Sequence, residues 1–124
     1  MEQPKKILII EDDSFLLQMY STKFELEGFV VESALDGSRG LALAKKIKPS
    51  VILLDLLMPK MDGFEVLQAI KADEEIKDIP VIILSNLSQR EEVKKCFDLG
   101  AEDYLIKAHF VPAEVINKIK KLIN

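Results

Sequence analysis

Alternation is the feature that most narrows what this chain can fold into. Five short runs rich in Ile, Val and Leu (Lys6–Ile10, Val30–Ala34, Val51–Leu54, Val81–Leu84 and Asp103–Ile106) are separated by segments with helical periodicity. Three of the runs are apolar almost throughout, as expected of strands buried on both faces of a parallel sheet. The helical segments cover about Ser14–Glu27, Gly37–Ile47, Gly63–Ala72, Gln89–Leu99 and Pro112–Ile123. In the first of them Phe15, Leu16, Met19 and Leu26 mark the expected apolar stripe. Gly28 and Gly100 are expected to stop the helices they follow, and Pro112 suits a first turn. Strict alternation of strand and helix implies a (βα)5 chain, with a parallel sheet, right-handed crossovers and helices on both faces.

At 124 residues the chain fits one domain, and 48% hydrophobic with 31% charged residues suits a packed core inside a solvated surface. A net charge of −4 argues against direct nucleic-acid binding, which needs a concentrated basic surface. The longest apolar stretches are strand-length, so no membrane insertion is expected. Lys5 and Lys6 lead into a short apolar run and then acids, which is no secretory signal. Cys96 is the lone cysteine, which excludes a disulfide framework or cysteine metal site and fits a reducing, cytoplasmic setting.

Open parallel sheets place their functional site outside the carboxyl ends of the strands. Following the first run are Glu11, Asp12 and Asp13; following the third, Asp55, then Leu56-Leu57-Met58-Pro59 and Asp62-Gly63. Following the fourth are Ser85 and Asn86, and following the fifth, Lys107. Each has an ordinary explanation when taken alone. Asp13 reads as a helix cap, Pro59 and Asp62-Gly63 as turn chemistry, Ser85 as a cap and Lys107 as a solvated charge. His109 has no companion ligand and reads as structural or surface. Asp55 is harder to dismiss, because it interrupts an apolar run where an unpartnered carboxylate is costly.

Convergence gives the set its meaning. Glu11, Asp12 and Asp55 crowded at one edge would repel one another, and hard oxygen ligands of this kind suit Mg²⁺. A lysine there neutralises the remaining charge and can grip a phosphoryl group, while a nearby hydroxyl can donate to another phosphoryl oxygen. Such a site suits phosphoryl transfer governed by positioning and electrostatics, with a carboxylate nucleophile.

The runs Ile9-Ile10-Glu11-Asp12-Asp13, Asp55-Leu56-Leu57-Met58-Pro59-Lys60-Met61-Asp62-Gly63, Pro80-Val81-Ile82-Ile83-Leu84-Ser85 and Gly100-Ala101-Glu102-Asp103-Tyr104-Leu105-Ile106-Lys107 resemble the receiver domains of two-component response regulators. The resemblance extends from Lys6 to Leu122. It implies one receiver domain over 1–124, of flavodoxin-like three-layer architecture with strand order 2-1-3-4-5. It also implies that Asp55 is the phosphoacceptor and that Lys107 pairs with it before reaction and with the phosphoryl group afterwards. Asp12 would ligate Mg²⁺ (or Mn²⁺) directly, Glu11 mainly through water, and Asp55 and the Leu57 backbone carbonyl would complete the set. Ser85 takes the switch hydroxyl position. Tyr104 takes the aromatic switch position, whose ring moves inward with the hydroxyl.

Two departures from the family pattern stand out. Ala108 follows Lys107 where proline, commonly with a cis bond before it, is usual; a cis bond before alanine costs roughly 2.5–4 kcal/mol, so trans is expected. Asn86 replaces a small residue and would narrow access to Asp55 or add a hydrogen bond. Leu57 and Leu87 occupy positions that tune hydrolysis; being apolar, they cannot orient a water, and slow autodephosphorylation is expected. Apart from its own phosphorylation and dephosphorylation, the chain is not expected to be an enzyme.

The implied partners are a sensor histidine kinase or phosphotransfer protein and a downstream protein. The latter would be met through about 89–97, 103–106 and 113–123, where Arg90, Glu91, Glu92, Lys94 and Lys95 surround Val93. No output domain is expected after Asn124, and the effect is expected to pass through a partner, onward phosphotransfer or dimerisation. The expected state is a monomer or a weak phosphorylation-dependent dimer. Two alternatives stay open: a pseudo-receiver kept for interaction, suggested by Asn86 and Ala108, and a haloacid-dehalogenase-type phosphatase. Against the second, Leu57 stands where a second Asp is needed, and no cap domain is expected.

Overall fold

A computed structural model describes residues 3–123; Met1, Glu2 and Asn124, and with them the outer limits of the expected 1–124 domain, lie outside the described residues. The elements are β1 (Lys6–Ile10), α1 (Ser14–Leu26), β2 (Val30–Ala34), α2 (Gly37–Ile47), β3 (Val51–Leu54), α3 (Gly63–Ala72), β4 (Val81–Ser85), α4 (Arg90–Asp98), β5 (Asp103–Ile106) and α5 (Pro112–Ile123). A short 3-10 turn, Lys107–His109, precedes α5. All strands are parallel, in the order β2-β1-β3-β4-β5. This is the expected doubly wound architecture.

Two core layers follow from the period-two geometry of a strand, in which neighbouring side chains point to opposite faces. Leu8, Ile10, Ile52, Leu54, Val81 and Ile83 face one way and pack with Ala44, Val66, Leu67, Ile70 and Cys96 from α2, α3 and α4. Ile7, Ile9, Val51, Leu53, Ile82 and Leu84 face the other way, onto Leu17, Tyr20 and Phe24 of α1 and Val115, Ile116 and Ile119 of α5. The central strands read as unbroken apolar runs because both faces are covered. Each fully buried aliphatic side chain contributes roughly 1.5–3 kcal/mol relative to exposure. Cys96 belongs to this core, and burial pushes its thiol up to about 11, which makes it a poor nucleophile near neutral pH.

Helix ends follow local chemistry. Asp13, Asp36 and Asp62 cap α1, α2 and α3 by accepting backbone N–H groups, and Glu65 closes a capping box with Asp62. Gly28 and Gly100 end α1 and α4 with φ of +93° and +106°, the left-handed region that glycine enters without a Cβ clash.

The face of α1 differs from expectation. Phe15 and Leu26 are 78% and 80% exposed, and the buried residues are Leu17, Tyr20 and Phe24. These lie at i, i+3 and i+7, an equally good helical stripe. Phe24 decides between the two, because its ring is wholly buried and meets Phe29 edge-to-face at 5.2 Å. Accordingly Phe24→Ala is expected to cost about 3–5 kcal/mol in a denaturant melt, whereas Phe15→Ala should stay within roughly 0.5 kcal/mol.

Candidate functional site

Strand register assembles the site. Ile10 is paired with Leu54 across β1 and β3, so the next residues, Glu11 and Asp55, leave the sheet side by side. The Asp55 N–H donates to the Ile10 carbonyl at 3.0 Å, and the Glu11 N–H donates to the Ala34 carbonyl at 3.1 Å. On the other side Ser85 is paired with Ile106, which brings Lys107 to the same edge one residue later. Residues far apart in the chain therefore meet because four strands end together.

Glu11 and Asp55 are buried, at 5% and 6% exposure, while Asp12 is exposed. Lys107 Nζ lies 2.7 Å from a Glu11 oxygen and 3.7 Å from Asp55 Oδ2. The stronger contact is thus with Glu11, and Asp55 is the more loosely held carboxylate. Its other tie is a long hydrogen bond, in which the Leu57 N–H donates to Oδ1 at 3.4 Å. Burial holds the Glu11 carboxyl above its ordinary range against the opposing hydrogen bond from Lys107, and the Asp55 charge pushes the same way as burial. Asp12 is also raised, by partial burial and then by its neighbour Glu11.

Glu11, Asp12 and Asp55 each offer a carboxylate oxygen, and these atoms all lie within 4.8 Å of one another. All three donors are hard oxygens, and exposed Asp12 leaves a side open to water. That combination suits a divalent ion that keeps part of its hydration shell.

Ser85 is wholly buried at the end of β4, and its Oγ accepts the Leu87 N–H at 3.2 Å. The Tyr104 ring is also buried, and its hydroxyl donates to the Leu87 carbonyl at 2.6 Å. Burial pushes the Tyr104 hydroxyl up to about 12, with the Ser85 hydroxyl acting in the opposite direction. Both backbone groups of Leu87 are thus tied, one to each residue assigned to switching. The sequence reading named Leu87 for its side chain and missed this, because a peptide group carries no residue signal. The Leu87 side chain itself packs partly into the core layer beneath α4.

The remaining sequence-derived positions fall as follows. Leu57 is 56% exposed beside Asp55, and Asn86 is exposed after Ser85. Asp13 is the expected cap, with its side chain accepting the Phe15 N–H at 3.0 Å, while its own N–H donates to Glu11 at 3.2 Å. His109 is exposed. Among the described residues no peptide bond is cis, so Lys107–Ala108 is trans as expected.

Two carboxylates sharing one ammonium leave net negative charge in a confined space. Replacing Asp55 with its neutral near-isostere removes the repulsion and keeps the shape. Asp55→Asn should therefore raise Tm at pH 7 without divalent metal by about 3–6 °C, equivalent to roughly 1 kcal/mol. A fall in Tm on thermal melting would contradict this picture of the site.

The sequence matches the family described as "Response regulator receiver domain" over residues 7–120. It is 42% identical over 118 residues to the DNA-binding dual master transcriptional regulator RpaA of Synechocystis sp., a match covering 95% of this chain and 48% of the relative. It is 36% identical over 118 residues to the transcriptional regulatory protein PrrA of Mycobacterium leprae, with 95% and 49% covered. The chain spans about half the length of the curated relatives it matches. Among solved structures, the chemotaxis protein CheY4 of Vibrio cholerae superposes with a TM-score of 0.89 at 30% identity, over 96% of this chain and 98% of that one. The receiver domain of Francisella response regulator 1452 superposes with a TM-score of 0.88 at 34% identity, over 96% of each chain. With the acids, hydroxyl and lysine already gathered at one sheet edge, these matches settle the family: the chain belongs to the response regulator receiver domains, the phosphoacceptor modules of two-component signalling.

Proposed function

We propose that this chain, as a single receiver unit, accepts a phosphoryl group on Asp55 from a phosphohistidine of a sensor histidine kinase or phosphotransfer protein. The observation that carries the assignment is the unequal hold of Lys107. Glu11 takes the short contact, which leaves Asp55 as the buried carboxylate with the freer oxygens.

In the reaction an Asp55 oxygen attacks phosphorus, the N–P bond of the donor breaks, and the departing imidazole nitrogen keeps the bonding pair and takes a proton. Lys107 is close enough to follow the negative charge from carboxylate to phosphoryl oxygen. Glu11, Asp12, Asp55 and the Leu57 carbonyl would hold Mg²⁺ (or Mn²⁺), which supplies charge neutralisation during transfer. Ser85 keeps its hydroxyl proton available for a phosphoryl oxygen. Drawing that hydroxyl toward Asp55 pulls on the Leu87 N–H, and the Leu87 carbonyl in turn holds Tyr104. The signal would leave through α4, β5 and α5, where Arg90, Glu91, Lys94 and Lys95 are exposed beside half-exposed Phe97.

Cytoplasmic placement, and a monomer or weak phosphorylation-dependent dimer without direct nucleic-acid contact, complete this reading. No helix among the described residues is long and apolar enough to cross a membrane. The pseudo-receiver alternative gains no support, because Asn86 and Ala108 leave the carboxylates and Lys107 together.

A phosphorylation assay with acetyl phosphate and Mg²⁺, followed by intact mass, tests the assignment. Wild type should gain one phosphoryl group, and Asp55→Ala or chelation of the metal should abolish the gain. Lys107→Ala should slow the initial rate by about tenfold or more. Because Leu57 and Leu87 are apolar and cannot orient water, the acyl phosphate should persist for many minutes or longer. A half-life of seconds, or labelling of Asp55→Ala, would overturn the respective claims.

A further inference from the structure

Gly63 stands at the first turn of α3, against the peptide that carries the acceptor. Its N–H donates to the Leu56 carbonyl at 3.0 Å, and the residue is buried. A Cβ placed there would run into the Asp55 carbonyl oxygen and would stand 2.6 Å from Leu56 Cα and 3.0 Å from the Asp55 carbonyl carbon. These are backbone atoms, which cannot swing aside as the end of a side chain can. Gly63 does not adopt the left-handed φ of Gly28 and Gly100, so its missing side chain serves space and not backbone conformation.

The two other crowded helical glycines press on different partners. A Cβ at Gly40 would meet the Ile10 side chain from 2.5 Å, and one at Gly37 would meet the Met61 carbonyl at 2.5 Å and the Val66 side chain at 2.7 Å. The atoms nearest to these two belong to Met61, Val66 and Ile10, whereas those nearest to Gly63 belong to Asp55 and Leu56.

We infer that Gly63 is a positioning residue for the acceptor, because the start of α3, seated through it on the Asp55–Leu56 peptide, sets where the Asp55 carboxylate stands. The inference rests on the reading of Asp55 as phosphoacceptor. The Asp55 backbone is held from two sides. Across the sheet the Asp55 N–H is fixed to the Ile10 carbonyl, and below it α3 is pinned by the Asp62–Glu65 capping box, with donor–acceptor distances of 2.9 and 3.3 Å. A methyl group inserted there has to push the Asp55–Leu56 peptide, and the displacement passes to a carboxylate that Lys107 Nζ approaches only to 3.7 Å. Transfer that depends on positioning is sensitive to such shifts; a misplacement of about 1 Å can cost on the order of a hundredfold in rate.

The test compares initial phosphorylation rates with acetyl phosphate and saturating Mg²⁺ for wild type, Gly63→Ala, Gly28→Ala, Asp62→Ala and Asp55→Ala. Tm and the folded fraction are measured by circular dichroism for each. In folded protein Gly63→Ala should lose about tenfold or more in rate, while Gly28→Ala, strained by its φ of +93° with nothing within 4 Å of its Cβ, should stay within about twofold whatever its Tm. Asp62→Ala unties the cap without adding atoms and should slow the rate by about threefold. A wild-type rate for folded Gly63→Ala, or equal losses in the two glycine variants, overturns the inference. Should Gly63→Ala not fold, Asp62→Ala decides: a wild-type rate overturns the inference and a slowed one supports it. Labelling of Asp55→Ala would instead strike down the acceptor reading, independently of the glycine comparison.

Discussion

One ammonium group keeps the functional edge of this protein viable. Glu11 and Asp55 are nearly inaccessible to water and sit side by side because β1 and β3 end in register. Two unit charges about 4 Å apart interact by about 4 kcal/mol at an effective dielectric constant near 20. Left to themselves, the two acids would repel one another or one would take up a proton. Lys107 offsets that repulsion, but unequally, with contacts of 2.7 and 3.7 Å. Glu11 is the better neutralised acid, and Asp55, the one proposed to accept the phosphoryl group, is less tightly held.

The ion pair can exist only because the sheet delivers its members together. Ile7 and Leu8, Val51 and Ile52, and Val81 and Ile82 alternate between two core layers, which fixes each strand against helices on both sides. A register slip of one residue would turn each strand inside out and separate Glu11 from Asp55. Packing far from the site is therefore what sets the distances within it. Glu11, Asp55 and Lys107 each come one residue after the last position of their strands, and Ser85 is the last position of its own.

Leu87 shows how such a site can communicate. Its N–H reaches Ser85 and its carbonyl reaches Tyr104, so the backbone of one residue joins the hydroxyl at the end of β4 to a ring packed beneath α4. In the proposed switch, movement of either end would alter a hydrogen bond at the other. The coupling requires no long pathway, since a single residue carries both contacts.

Sequence by itself determined most of this protein: element order, strand limits to within one residue, the Asp13 cap, the glycine stops and the cluster of Glu11, Asp12, Asp55, Ser85 and Lys107. These were legible because they depend on local periodicity and on the rule that strand ends carry function. Tertiary structure decided the rest. Two stripes on α1 are equally helical, and only packing against Phe29, β1 and α5 shows that Leu17, Tyr20 and Phe24 face inward while Phe15 stays in water. Lys107 was matched to Asp55 on the family pattern, yet its shorter contact is with Glu11, a difference of 1 Å that no residue identity encodes. The Leu87 peptide and the space kept open at Gly63 are backbone features, and a sequence records side chains. Composition and spacing selected the parts, and three-dimensional packing set the distances between them.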